Sequence, residues 1–309
     1  MNRIAVLFPG QASQYQGMGN EFYQQYQVVR DIYDRASEII GQDVYKICQD
    51  KHMLQKTEHA QICILVLSIA IFEVLKEHIE SPIQYFAGHS IGEYSALTCS
   101  GCLDFEEAVK LVQTRGRLMA KAETTGKFAM ANLGSASNDA INKECLRFSD
   151  EVDFVSLSCD NSKIQKIVAG SEKAVIKLIE GTSELFHGKV INSLGAFHTK
   201  YMLAAQEEFS TRLREVTFKE MKNIVLSNIT GRPYFDETQI YPLLCRQMVS
   251  TVKWRQMMEY LVSRNIDQYW EVGPGYVLTN IMKREYPTAY VKSANEIIRR
   301  AGINYEKVY

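Results

Sequence analysis

The chain has 309 residues, 46% hydrophobic and 23% charged, the balance of an ordinary globular protein long enough for one large core or two moderate ones. Its 35 basic and 36 acidic side chains leave a formal charge of −1, so no global field favours nucleic acid or an anionic membrane. The seven cysteines include Cys99-Ser100-Gly101-Cys102, formally C-x-x-C. No second ligand pair stands nearby, so reduced, mostly buried thiols are expected rather than a metal or redox site.

Ile4-Ala5-Val6-Leu7-Phe8 reads as a buried parallel strand that stops at Pro9-Gly10, too short for a leader peptide. A polar loop, Gln11 to Gln14, follows, and then a helical stretch from Glu21 to Ile40. A long apolar helix is predicted from His59 to Ile79; its most apolar part, Ile62 to Phe72, is too short to span a bilayer. Tyr85-Phe86-Ala87 leads into Gly88-His89-Ser90-Ile91-Gly92, followed by a helix to about Ser100 and another from Asp104, a candidate N-cap, to Lys121.

The texture changes near Gly126. Strand Phe128–Leu133, helix Ser137–Phe148, strands Val152–Leu157 and Ile164–Ala169, helix Ser171–Glu184 and strand Lys189–Ile191 follow in turn. That order is the ferredoxin-like split pattern. Helices and strands then alternate again: Lys200–Glu215, Asn223–Ser227, Tyr241–Val249, Lys253–Arg264, Asp267–Val272 and Tyr276–Arg284, the tail from Tyr286 carrying no signal. The alternation argues a parallel sheet. The expected architecture is a large α/β-hydrolase-like parallel-sheet domain, residues 1–125 and 194–309, with a small inserted ferredoxin-like α+β domain at 126–193.

Gly88-x-Ser90-x-Gly92 has the pattern of a nucleophile elbow, a strand-to-helix turn that exposes a serine hydroxyl beside the free N–H groups of the new helix. The pattern alone is a weak signal. A serine needs a base. Of the six histidines, His89 is adjacent to the serine and would point away; His52, His59, His78 and His187 are expected to face solvent. His198, in a glycine-started loop before a helix, is the candidate.

Five segments in order resemble the malonyl-CoA:acyl carrier protein transacylase family, including its freestanding polyketide-serving members. They are Phe8-Pro9-Gly10-Gln11-Ala12-Ser13-Gln14, Gly88-His89-Ser90-Ile91-Gly92-Glu93, Gln113-Thr114-Arg115-Gly116, Gly195-Ala196-Phe197-His198 and Glu271-Val272-Gly273-Pro274-Gly275. The resemblance spans residue 4 to about 295 and implies the following roles. Ser90 attacks a malonyl thioester and His198 moves the proton, oriented by a backbone carbonyl from Gln247–Trp254. The backbone N–H groups of Gln11 and Ile91 form the oxyanion hole. Arg115 grips the malonyl carboxylate with paired charge-assisted hydrogen bonds. Phe197 leaves little room for an α-methyl branch, and Asn161 and Gln165 are pocket residues of the small domain.

Three positions depart from the family pattern: Ala12 where glycine is usual, Asn161-Ser162-Lys163 without a proline, and Ile62 after Gln61. They tilt the pathway toward polyketide rather than fatty-acid synthesis. The expectation is an acyltransferase carrying malonyl from malonyl-CoA to an acyl carrier protein, with no metal or organic cofactor. It would be a cytoplasmic monomer, with no nucleic acid or membrane partner. A hydrolase that clears stalled acyl groups and an idle docking subunit are the alternatives. Lys253, Arg255 and Lys283 are candidates for steering an acidic carrier.

Overall fold

The computed structural model describes residues 3–77, 82–134, 136–191 and 195–300. His78, the predicted helix end at Ile79 and the domain boundary drawn at 193–194 lie outside the described residues.

Strand β1 (Ile4–Phe8) is buried along its whole length, as a central strand covered on both faces must be. It pairs in parallel with β2 (Ile83–Gly88) on one side. The small sheet's strands come next in the chain: β3 (Phe128–Leu133), β4 (Val155–Asp160), β5 (Lys166–Ser171) and β6 (Lys189–Ile191). The chain then returns with β7 (Ile224–Val225), β8 (Gln268–Glu271) and β9 (Val291–Ser293). The large sheet runs β7-β2-β1-β8-β9, all parallel. The small sheet runs β4-β5-β3-β6, all antiparallel, the ferredoxin-like order.

Register brings the motifs together. Phe8 lies opposite Gly88, and Leu7 opposite Glu271, so the C-terminal ends of β1, β2 and β8 are level. Their following loops open on one edge of the sheet, where ligands of parallel α/β proteins sit. The small sheet shows why it packs here. Ala129, Ala131 and Leu133 face its own helices, whereas the alternate residue Met130 joins the large core.

Two helices differ from the expectation in instructive ways. The predicted helix from Glu21 is two, Asn20–Gln25 and Gln27–Ile40, broken where Tyr26 is extended. The apolar helix is Thr57–Lys76, 20 residues and apolar enough to cross a membrane, longer than its most apolar stretch suggests. In the fold 89% of its apolar window is buried, against the helices Gln27–Ile40 and Phe105–Glu123, so it is a core helix. His59, on its first turns, is buried rather than solvent-facing, its Nδ1 3.3 Å from the Met53 carbonyl.

Asp104 occupies the N-cap position of the helix Phe105–Glu123 as expected, but its carboxylate makes no capping hydrogen bond and pairs with Lys219 instead. The end of the chain also carries structure that the sequence concealed, namely edge strand β9 and helix Ala294–Arg300.

Candidate active site

The corner after β2 is as tight as its glycines imply. A Cβ on Gly88 would sit 1.9 Å from the Gly92 carbonyl carbon, and one on Gly92 would sit 2.3 Å from the Phe8 oxygen. No side chain fits at either position, so the turn presses directly on the end of β1. Ser90 is left at φ 52°, the left-handed region that costs a non-glycine residue about 1–2 kcal/mol. Both of its backbone groups are held: Ser90 N–H donates to Asn228 Oδ1 at 2.7 Å, and Ser90 O accepts from Gln247 Nε2 at 3.0 Å. Asn228 Nδ2 also donates to the Gly88 oxygen at 2.6 Å.

His198 reaches this corner from 108 residues downstream, with its Nε2 2.8 Å from Ser90 Oγ. It too has a positive φ, 60°, in a turn braced by Thr199 Oγ1 donating to Ala196 O at 2.7 Å. Nδ1 lies 2.8 Å from the carbonyl oxygen of Gln247, an acceptor only, so the ring proton belongs on Nδ1. Nε2 is then a free lone pair for the serine proton. Burial, and secondarily the charge of Arg115, push the imidazole down to about 3, so it is neutral across the physiological range.

Arg115, on the helix Phe105–Glu123, is fully buried. Nη1 donates to Gln61 Oε1 at 2.6 Å; Nη2 donates to Ser90 Oγ at 3.1 Å and to Gln247 Oε1 at 3.0 Å. The Tyr94 ring lies 5.6 Å from the guanidinium carbon. Among the described residues no carboxylate comes within 4.0 Å of it, and its Nε has no partner. A buried guanidinium without a counter-ion is expensive, and burial lowers its affinity for a proton. This one is aimed at the serine hydroxyl, where an anionic substrate would complete it.

Residues 6–300 match the family described as acyl transferase domain. The chain belongs to that family. It is 34% identical, over 92% of its own length and 72% of the other, to a malonyl CoA-acyl carrier protein transacylase of Bacillus subtilis. The solved malonyl CoA-acyl carrier protein transacylase of Coxiella burnetii has the same fold, with a TM-score of 0.92 and 28% identity over 97% of this chain and 96% of that one. Another neighbour, with a TM-score of 0.89 and 29% identity over 94% of this chain and 95% of that one, is a malonyl-transacylase in complex with a type II polyketide synthase acyl-carrier protein.

The remaining candidates of this acyl transferase domain fall into place unevenly. Among the described residues neither the Gln11 nor the Ile91 N–H is donated to a protein acceptor, leaving both able to bind an oxyanion. The Gln11 side chain bonds Thr57 Oγ1 at 3.0 Å and Gln61 Nε2 at 3.4 Å, which ties its loop to the residue that holds Arg115. Phe197 is buried beside His198, its oxygen accepting from Ser158 Oγ at 2.9 Å. Asn161 Oδ1 lies 2.8 Å from His89 Nε2, so His89 is turned away from the reacting atoms and toward the small sheet. Gln165 enters only through its backbone oxygen, which closes the β4–β5 turn by accepting from Asn161 and Ser162 N–H. Arg255 is not free to steer a carrier: from the helix Trp254–Ser263 it grips Asp160 at the end of β4 in the small sheet, and Glu259. Lys283 is exposed and Lys253 partly so.

All seven cysteines are free, and all but the partly exposed Cys99 are buried. Glu271 of the fifth motif is structural. Its carboxylate accepts from the N–H groups of Leu278 and Thr279, at 3.0 and 2.8 Å, anchoring the helix Val277–Glu285. Sequence reading missed Gln61, Glu93, Asn228 and the Gln247 side chain as site residues. Only Asn228 left a usable signal, a polar residue just past the end of a strand in the parallel sheet.

Ala12 stands at φ 80°, which accounts for the usual glycine. Ala12→Gly relieves left-handed strain of about 1–2 kcal/mol and adds about 0.4–1 kcal/mol of unfolded-chain entropy. We expect a net gain of between about zero and about 1.6 kcal/mol from denaturant unfolding. A clear loss of stability would contradict the strain argument.

Proposed function

We propose that the protein carries a malonyl group from malonyl-CoA to the phosphopantetheine thiol of an acyl carrier protein. The observation that carries this reading is the buried, counter-ion-free guanidinium of Arg115 hydrogen-bonded to the hydroxyl that His198 can deprotonate. Ser90 Oγ attacks the thioester carbon as its proton passes to His198 Nε2, and the N–H groups of Gln11 and Ile91 hold the oxyanion. Collapse breaks the carbon–sulfur bond, His198 returns the proton to the departing thiol of CoA, and malonyl-Ser90 remains. The carrier thiol then repeats the sequence in reverse. Arg115 holds the carboxylate throughout; Phe197 and Asn161 shape the pocket around it, Phe197 opposing an α-methyl branch by about 1–3 kcal/mol, while Gln165 acts only by closing the β4–β5 turn that carries Asn161.

A hydrolase of ordinary acyl chains has no use for a guanidinium beside its nucleophile, which favours transfer. Relatives named for this transfer, and one complexed with a carrier protein, support the partner. Action as a cytoplasmic monomer without metal or organic cofactor belongs to the same reading, and the near-neutral charge supports only the part of it that leaves out nucleic acid and an anionic membrane. The test is incubation with malonyl-CoA, intact-mass detection of a covalent adduct, and then transfer to a panel of fatty-acid and polyketide carrier proteins. An adduct discharged onto a carrier is expected. Absence of both adduct and transfer would end the reading.

A further inference from the structure

The elbow helix holds one buried carboxylate that the chemistry above does not use. Glu93 is 1% exposed. Its Oε1 accepts from Asn228 N–H at 3.1 Å and from the Tyr234 hydroxyl at 2.6 Å; its Oε2 accepts from Gln247 Nε2 at 2.6 Å. Those partners are not incidental. Asn228 holds the Ser90 N–H, and Gln247 holds the Ser90 oxygen, the Arg115 guanidinium and, through its own carbonyl, His198. Glu93 thus closes a ring of hydrogen bonds around the nucleophile's backbone.

The Gln247 side chain is where the ring acquires direction. An amide offers a donor at one end and an acceptor at the other. Nε2 faces two groups that only accept, Glu93 Oε2 and Ser90 O, while Oε1 faces a guanidinium that only donates. Reversal would set donor against donor at Arg115 and lone pair against lone pair at Glu93. The ionised carboxylate makes the wrong orientation costly.

We propose that Glu93 is a positioning residue for the transfer reaction, fixing the Gln247 amide and through it the guanidinium that receives the substrate carboxylate. The proposal rests on the reading of Ser90, His198 and Arg115 given above. Its chemistry requires the anion. Burial raises the Glu93 carboxyl to about 7, against the hydrogen bonds of Tyr234, Gln247 and Asn228 and the charge of Arg115. Arg115, Tyr94 and Tyr234 are the other charged or titratable groups that act on it, and both phenols are raised further out of the neutral range. The sign for stability is opposite to that for activity. Because the folded form holds this proton above the ordinary glutamate range, the contribution to stability is lost as pH rises from about 4.5 through about 7.

Glu93→Gln copies the protonated shape and places an amide nitrogen against Gln247 Nε2. Measured beside wild type, it is expected to lower kcat/KM for malonyl transfer about 10- to 100-fold and acetyl transfer by several-fold less, with a thermal midpoint at pH 8 close to wild type. Malonyl transfer at the wild-type rate, or equal loss with both donors, overturns the proposal. Tyr234→Phe removes one hydroxyl and guards against a misfolded glutamine variant. It should raise the carboxyl further, so its malonyl rate at pH 6.5 relative to pH 8.5 falls below the wild-type ratio. An unchanged ratio counts against Glu93. A wild-type protein that forms no malonyl adduct would instead sink the underlying reading, and the two failures are distinguishable.

Discussion

Ser90→Ala is expected to abolish the covalent malonyl adduct and to lower transfer to a carrier protein by on the order of 10⁴-fold or more. The size follows from the geometry. The hydroxyl is the one atom shared by the base at 2.8 Å and the guanidinium at 3.1 Å, so its removal takes away the nucleophile while leaving both partners in place. His198→Ala should cost nearly as much, and the double variant little more, because the pair acts as one unit. The imidazole is held down to about 3 by burial and then by Arg115, so its own protonation should not limit the free enzyme near its ordinary value of 6.5. A persistent malonyl adduct in Ser90→Ala, by intact-mass spectrometry, would place the acyl group on another residue and overturn the assignment.

Much of this site was legible because the chemistry lies at strand ends. β1 and β2 are short apolar runs stopped by glycine or proline, and parallel pairing of such runs puts their exit loops side by side. Gln11 and Ser90 therefore meet for reasons visible in the chain. The small sheet was legible through the order of its strands and helices, although β4 and β5 begin two or three residues later than predicted. What the sequence concealed is the polar scaffold behind the nucleophile. Glu93, Gln247 and Asn228 have no periodicity of their own, and their roles come from tertiary hydrogen bonds across 132 to 157 residues. His59 and Asp104 went the other way for the same reason. A local rule assigned His59 to solvent and the Asp104 carboxylate to a cap; helix packing buried the first beside the nearby Met53 carbonyl, and distant Lys219 took the second. Edge strand β9 is three residues long, too short for any alternation to register.

Arg115→Ala is expected to reduce malonyl transfer by about 10²-fold or more while leaving acetyl transfer unchanged or improved. Removing one member of a buried, hydrogen-bonded charge pair costs about 2–5 kcal/mol, which sets the scale for malonyl. Acetyl has no carboxylate, so with that donor deletion costs only the hydrogen bonds to Gln61, Ser90 and Gln247 and the influence on Glu93, set against the relief of an unpaired buried charge. Arg115→Lys should fall between, since an ammonium keeps the charge but cannot span Gln61, Ser90 and Gln247 as the guanidinium fork does. The two donors also differ in what they do to the base. Burial first, and the Arg115 charge second, hold His198 well below its ordinary value. A carboxylate seated on Arg115 cancels that second influence and strengthens the imidazole only when an acidic acyl group is bound. The activity ratio of malonyl-CoA to acetyl-CoA, measured for wild type and both variants, decides it. Equal losses with both donors would mean that Arg115 braces the serine rather than reads the substrate.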